Sequence, residues 1–211
     1  MSTTALRSGP EYTAELLERQ QALQSRAQAV IASLDLITLF TPLGRPILVG
    51  SVVTGLMVWP DIDIVVPCAS LDPDRLWDTV RPLASHPRIK QLRWSNVRGP
   101  FNSTGRPEID GYFFCVHYED GNINTEEEWR IDCWFVPLDA PRPEFALMDR
   151  LQQELTEETR LAVLSIKDVW SRHPDYLSHK VCSTDIYNAV LDSNIRSPDE
   201  FATWLRERKL R

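Results

Sequence analysis

The run Asp61-Ile62-Asp63-Ile64-Val65-Val66 constrains this chain more than any other segment. Its β-branched residues favour an extended backbone, and along a strand successive side chains point to opposite faces. Asp61 and Asp63 therefore share one face, while Ile62 and Ile64 share the other. The isoleucine face is suited to burial. The other face carries two carboxylates close enough to repel unless positive charge lies between them. Hard divalent cations accept oxygen ligands of this kind. An exposed strand face can show the same Asp-x-Asp pattern with no ligand at all, so neighbouring signals must decide.

Two such signals exist. Upstream, Val49-Gly50-Ser51 ends a short β-rich run and enters a tight turn. Glycine there lets backbone approach a ligand closely, and a serine hydroxyl beside exposed amides can hold a phosphate; the same dipeptide also serves in plain turns. Downstream, Asp132 stands among Ile131, Cys133, Trp134, Phe135 and Val136. An ionised Asp in so apolar a strand is costly to bury without a partner. The alternatives are an exposed strand position or pairing with Arg130.

A strand ending in Gly-Ser, a short connector, a strand of hydrophobic-Asp-hydrophobic-Asp pattern and a later strand with one Asp resemble the nucleotidyltransferase superfamily, of polymerase-beta-like fold. The likeness covers residues 47–136. Thr54-Gly55 echoes a frequent glycine after the serine, whereas Pro60 stands where a serine often precedes the first acid. The resemblance implies two Mg²⁺ (or Mn²⁺) ions held by Asp61 and Asp63. Such ions lie roughly 3.5–4 Å apart in two-metal sites. Asp132 would complete the site for the ion that activates an acceptor hydroxyl, and would take its proton. Gly50 and Ser51 would hold the β- and γ-phosphates of a nucleoside triphosphate, and in-line attack on the α-phosphorus would release pyrophosphate. Ile166-Lys167-Asp168-Val169-Trp170 resembles a Lys-x-x-Trp stretch that supplies a triphosphate-binding lysine in several members. The other reading of Lys167 is an ordinary solvated helix residue. Ser183 falls where those members carry a serine-rich helix start, and can equally be a helix cap.

The rest of the chain frames this core. Leu16, Leu23, Ala27, Val30, Ile31 and Leu34 recur at helical spacing and predict one helix near 11–36. Strands are predicted at 47–49, 61–66, 88–97, 110–118 and 129–136, with a helix near 73–84. The spacers 98–108 and 119–127 read as loops. Beyond Pro137 the pattern turns helical, near 144–157, 158–172, 184–193 and 198–209, the last with Ser197 as cap and Pro198 in the first turn. The expected architecture is α/β (α+β): a mixed-sheet nucleotidyltransferase core at 1–138, with the N-terminal helix, followed by a small helical module at 139–211.

Composition narrows the classes. The four cysteines have no Cys-x-x-Cys spacing, which argues against zinc and, in a reducing compartment, against disulfides. No apolar run approaches the roughly 20 residues of a membrane span, and the first residues lack a signal-peptide core, so a cytoplasmic chain without a membrane partner is expected. A formal charge of −7 argues against a surface that attracts nucleic acid everywhere. Yet Val80 to Pro107 has no acid and contains Arg81, Arg88, Lys90, Arg93, Arg98 and Arg106. That stretch is either a charge-blunted sheet edge or an electropositive rim facing phosphate. His117 and Tyr118 are candidates to line an acceptor pocket or are ordinary strand residues. Trp59 is a candidate to stack on a base or simply fills a core face. Small size and net acidity favour a small, cationic acceptor such as an aminoglycoside-type antibiotic over an RNA end, while the basic stretch pulls the other way, and a protein side chain is a further candidate. Two other functions fit parts of the pattern: a glycosyltransferase whose Asp-x-Asp pair holds Mn²⁺ against a nucleotide sugar, and a non-catalytic member of the same fold.

Overall fold

Alternating apolar residues drive five segments into one sheet. In this computed structural model, which describes residues 9–104, 109–121, 128–178 and 180–209, the strands are β1 (Ile47–Val49), β2 (Asp61–Cys68), β3 (Ile89–Asn96), β4 (Tyr112–Tyr118) and β5 (Trp129–Pro137). Their order is β1-β2-β5-β4-β3, with β2 and β5 parallel and every other neighbouring pair antiparallel. A parallel pair needs a long crossover, supplied here by the residues between β2 and β5. The mixed sheet with its helices is the α+β architecture expected.

The helices are α1 (Pro10–Ser33), α2 (Leu36–Phe40), α3 (Ser51–Thr54), α4 (Pro73–Ala84), α5 (Pro143–Glu154), α6 (Glu157–Trp170), α7 (Pro174–Leu177), α8 (Ser183–Ser193) and α9 (Pro198–Lys209). The long N-terminal helix stops earlier than its periodicity predicts. Asp35 adopts φ of +47°, a left-handed conformation that breaks the helix and starts α2. Ser197 caps α9 through its hydroxyl, which accepts from the Glu200 amide at 3.3 Å. At α8 the capping residue is Cys182 rather than Ser183, and the Cys182 amide donates to Asp185 at 3.0 Å.

The chain forms two compact units. One contains Gln24–Gly55 and Trp59–Asp149; the other contains Met1–Leu23, Leu56–Val58 and Arg150–Arg211. In the sheet unit, Ile62, Ile64, Val66, Ile131, Cys133 and Phe135 line a buried face. Phe40 of α2 meets Phe135 edge-on at 5.2 Å, and Phe114 does so at 5.7 Å. Helix α4, capped by Asp72, turns Leu76, Val80 and Leu83 inward, and Trp77 rests edge-on against Phe114. In the helical unit, Thr156 and Thr159 cap α6 reciprocally, and Trp170 packs edge-on against Phe201 at 5.0 Å. The Tyr12 hydroxyl donates to Asp168 at 2.9 Å, and Arg19 pairs with the same carboxylate. Burial and that carboxylate push the Tyr12 phenol up to about 12.

The acid-free basic stretch runs along β3, an edge strand of the sheet. Several of its charges meet acids outside the stretch: Lys90 pairs with Glu128 and Glu119, Arg98 with Asp110, and Arg81 with Asp78 of its own helix. Arg106 and His179 lie outside the described residues. Cys68, Cys115 and Cys133 are buried, and Cys182 is exposed. Among the described residues no helix is long and apolar enough to cross a membrane.

Phe135 is completely buried between the α2 and β4 aromatics. Phe135→Ala is expected to lower the unfolding free energy by about 3–5 kcal/mol. Urea denaturation followed by circular dichroism measures it, and a loss below 1 kcal/mol would contradict this packing.

Candidate active site

The site is built by strand register. β2 and β5 pair in parallel with Asp61 opposite Arg130 and Asp63 opposite Asp132. β4 continues the rows by placing Cys115 beside Asp132 and His117 beside Arg130, and β3 adds Arg93 and Gln91. One face of the sheet therefore carries two parallel rows, Asp63-Asp132-Cys115-Arg93 and Asp61-Arg130-His117-Gln91. Neighbouring strands lie about 4.8 Å apart, so the three acids are close neighbours although Asp63 and Asp132 are far apart in sequence.

Charge on this face is already balanced in part by the protein itself. The Arg130 guanidinium grips Asp132 with both arms, Nε to Oδ1 at 3.0 Å and Nη2 to Oδ2 at 2.6 Å. Asp132 is 8% exposed. Burial opposes the Arg130 charge, but the attraction of Asp132 and Asp61 outweighs it and raises the pKa well above the usual arginine value. Burial and the adjacent Asp132 carboxylate push the Cys115 thiol up. Beyond it the Cys115 sulfur lies 3.5 Å from His117 Nε2, and His117 Nδ1 shares a hydrogen bond with Glu128. Hydrogen bonds from Lys90 and His117 hold the Glu128 carboxyl below the usual range.

β1 delivers the glycine turn to the same place. Val49 pairs with Asp63, so Gly50 follows directly at the acidic row. Gly50 has φ of +73° and ψ of −152°, a region essentially restricted to glycine. A β-carbon there would stand 2.5 Å from Asp63 Oδ2, so the missing side chain is what lets the carboxylate approach the backbone. The Gly50 amide donates to the Met148 sulfur at 3.2 Å. A thioether is a weak acceptor, readily replaced by a stronger one. Ser51 opens α3 and is buried.

The fold thus brings Gly50, Ser51, Asp61, Asp63 and Asp132 together in the sheet unit. Lys167 belongs to the helical unit, and there it is not a solvated helix residue. It is 1% exposed, its Nζ donates to the Leu56 carbonyl at 2.7 Å, and it lies 5.8 Å from the Tyr187 ring. Tyr118 is buried, near Ser33, and Trp59 is half-buried. Met148, Cys115 and Glu128, the partner of His117, lie on this polar face or at its turn and were not singled out by sequence reasoning. Period-two alternation places Cys115 and His117 on one strand face, but only the pairing register reveals that this face is the acidic one.

Among the described residues no three His, Cys, Asp or Glu side chains converge as a ready-made cage. Magnesium does not require one: it is commonly bound through one or two carboxylates with substrate phosphates and water completing its octahedron. Asp61 and Asp63 supply hard oxygen donors on one face, and Asp61 Oδ1 is buried. The residues fit such an ion.

No protein-family model matches this chain, and no curated protein does. Solved structures do match. The RNA terminal uridylyl transferase Cid1 is 14% identical, with a TM-score of 0.55 over 86% of this chain and 52% of that one. A cytoplasmic RNA terminal U-transferase is 15% identical, with a TM-score of 0.53 over 86% of this chain and 51% of its own. A second structure of Cid1, there a poly(U) polymerase, gives 14% identity and a TM-score of 0.56, with 86% and 52% covered. This chain spans about half the length of each. The chain has the nucleotidyltransferase fold.

Gly50→Ala forces a side chain into glycine-only backbone space and against Asp63. The expected cost is about 1–3 kcal/mol, read by denaturant unfolding, with Asp63 displaced. An unchanged stability would contradict the close approach described here.

Proposed function

We propose that this chain is a metal-dependent nucleotidyltransferase, moving a nucleoside monophosphate from a nucleoside triphosphate to a hydroxyl. The observation that carries this reading is the register that sets Asp63 beside Asp132, with Asp61 on the same face and Gly50 against Asp63. Each of those residues has a distinct task in such a transfer, and the fold likeness supports the same class.

Asp61 and Asp63 would hold Mg²⁺ or Mn²⁺ together with the triphosphate, and Asp132 would help hold a second ion. When bound, the ions neutralise charge on the phosphates and lower the pKa of the acceptor hydroxyl. The Gly50 amide, exchanging the Met148 sulfur for a phosphate oxygen, and the Ser51 hydroxyl would bind the β- and γ-phosphates. The acceptor oxygen bonds to the α-phosphorus as the bond to the bridging oxygen breaks. Pyrophosphate leaves with that electron pair, and the acceptor proton passes to Asp132. Catalysis then consists mainly of positioning and charge neutralisation. The acceptor would be a small molecule, a protein side chain or an RNA end; the activities of the structural neighbours make short RNA the first to try. Lys167, whose ammonium keeps two further N–H donors beside the one on the Leu56 carbonyl, is the residue we assign to triphosphate binding in the helical unit.

A thermal-shift screen with ATP, GTP, CTP, UTP and a UDP-sugar, each with and without Mg²⁺ or Mn²⁺, tests the reading. A triphosphate at 100 times its dissociation constant should stabilise the fold by about 2.7 kcal/mol. The shift is expected only with metal, and Asp61→Asn should remove it. Binding that ignores metal and Asp61→Asn would overturn the assignment, and a response to the UDP-sugar alone would favour a glycosyltransferase.

A further inference from the structure

We propose that the open edge of β3 is a docking site for an extended polypeptide segment of alternating acidic and apolar residues, which adds to the sheet as a further strand. The surface lies at the far end of the sheet from Asp61 and Asp63 and is independent of the metal-dependent reading above.

The sheet ends at β3, and among the described residues no strand lies on its outer side. The Val97 amide donates to the Gly111 carbonyl at 3.0 Å, so these residues form a hydrogen-bonded pair of the antiparallel ladder. Bonded and non-bonded pairs alternate along such a ladder, so Ser95, Arg93 and Gln91 bond inward to β4. Leu92, Trp94 and Asn96 therefore turn their backbone N–H and C=O groups outward. A row of this kind is a template for another strand. The opposite edge strand, β1, is three residues long, whereas β3 runs for eight.

Side chains on the two faces of this edge select the partner. On the α4 face Trp94 is 37% and Trp77 39% exposed, with their rings 6.0 Å apart, and Trp94 stacks on Tyr112. A residue of an added strand directly opposite Trp94 lands against this apolar rim. The next residue falls on the other face, opposite Arg93. The Arg93 side chain is exposed and makes no ion pair among the described residues, whereas Lys90 is already matched by Glu128 and Glu119. An acid opposite Arg93 pairs with it across the strands. That acid stands three strand spacings from the Asp132 strand, about 14 Å, which exceeds the screening length of about 8–10 Å. The pleat thus calls for apolar and acidic residues in alternation. The same charges oppose a second copy pairing β3 on β3, because the chain has no acid from Val80 to Pro107. The register shift between Ile89 and Gln91 further shortens the run open to a like copy.

Amide hydrogen exchange read by NMR tests the site, with an end-capped peptide alternating Glu and Val, as long as β3, as the probe. Binding is expected to slow exchange at Leu92, Trp94 and Asn96 and to shift the Trp77 and Trp94 indole signals. The same peptide with Lys in place of Glu should do neither. Arg93→Glu should weaken the Glu-Val peptide roughly fivefold or more and admit the Lys-Val peptide, a change of partner that an unfolded variant cannot show. Trp94→Ser should weaken binding while keeping the preference for Glu over Lys, and melting curves establish that it is folded. No slowing of these amides by the Glu-Val peptide, an equal response to both peptides, or concentration-dependent protection in the free protein would overturn the proposal. Single-stranded oligo(dT) shifting the two indoles at lower concentration than the peptide would also overturn it, giving the surface to nucleic acid.

Discussion

The parallel pairing of β2 with β5 is the constraint from which the site follows. It places Asp63 beside Asp132 and Asp61 beside Arg130, residues that the chain itself keeps far apart. A one-residue slip would move every side chain of a strand to the other face, turning the acids into the core and the isoleucines to the surface. The opposite face prevents that slip. Ile62, Ile64, Ile131, Cys133 and Phe135 are buried there, so the same packing that stabilises the sheet fixes the register of its polar side. Stability and site geometry are one property of this strand pair.

Electrostatics follow from that register. Three carboxylates on one face repel, and the chain relieves the repulsion with a guanidinium supplied by the same strand as Asp132. Further along the sheet the polar row continues through Cys115 and His117 to Glu128 and Lys90, so charge is paired step by step away from the acids. The glycine turn adds the complementary element. At Gly50 a backbone amide rests against a soft sulfur acceptor and the Asp63 carboxylate approaches where a side chain would stand.

Much of this was legible in the sequence because it is local. Period-two alternation located all five strands within a few residues, and it assigned Ile62 and Ile64 to the buried face and the two aspartates to the other. Residues that depend on long-range pairing were harder to read. Nothing near Cys115 or His117 announces that β4 lies beside β5, and nothing near Met148 points to Gly50. The early end of α1 was missed because the hydrophobic spacing continues past Asp35, where a left-handed backbone stops the helix. Lys167 shows the reverse error. A lysine on an amphipathic helix reads as solvated, yet its ammonium is buried on the Leu56 carbonyl.

The central claim is that the acidic row and the glycine turn form one triphosphate-binding metal site. Crystals soaked with Mn²⁺ and a non-hydrolysable triphosphate, with anomalous diffraction collected for manganese, test it most directly. Manganese density touching both Asp61 and Asp63 is expected, with the triphosphate against Gly50 and Ser51. Well-ordered triphosphate bound elsewhere, with no manganese at Asp61 and Asp63, would contradict it.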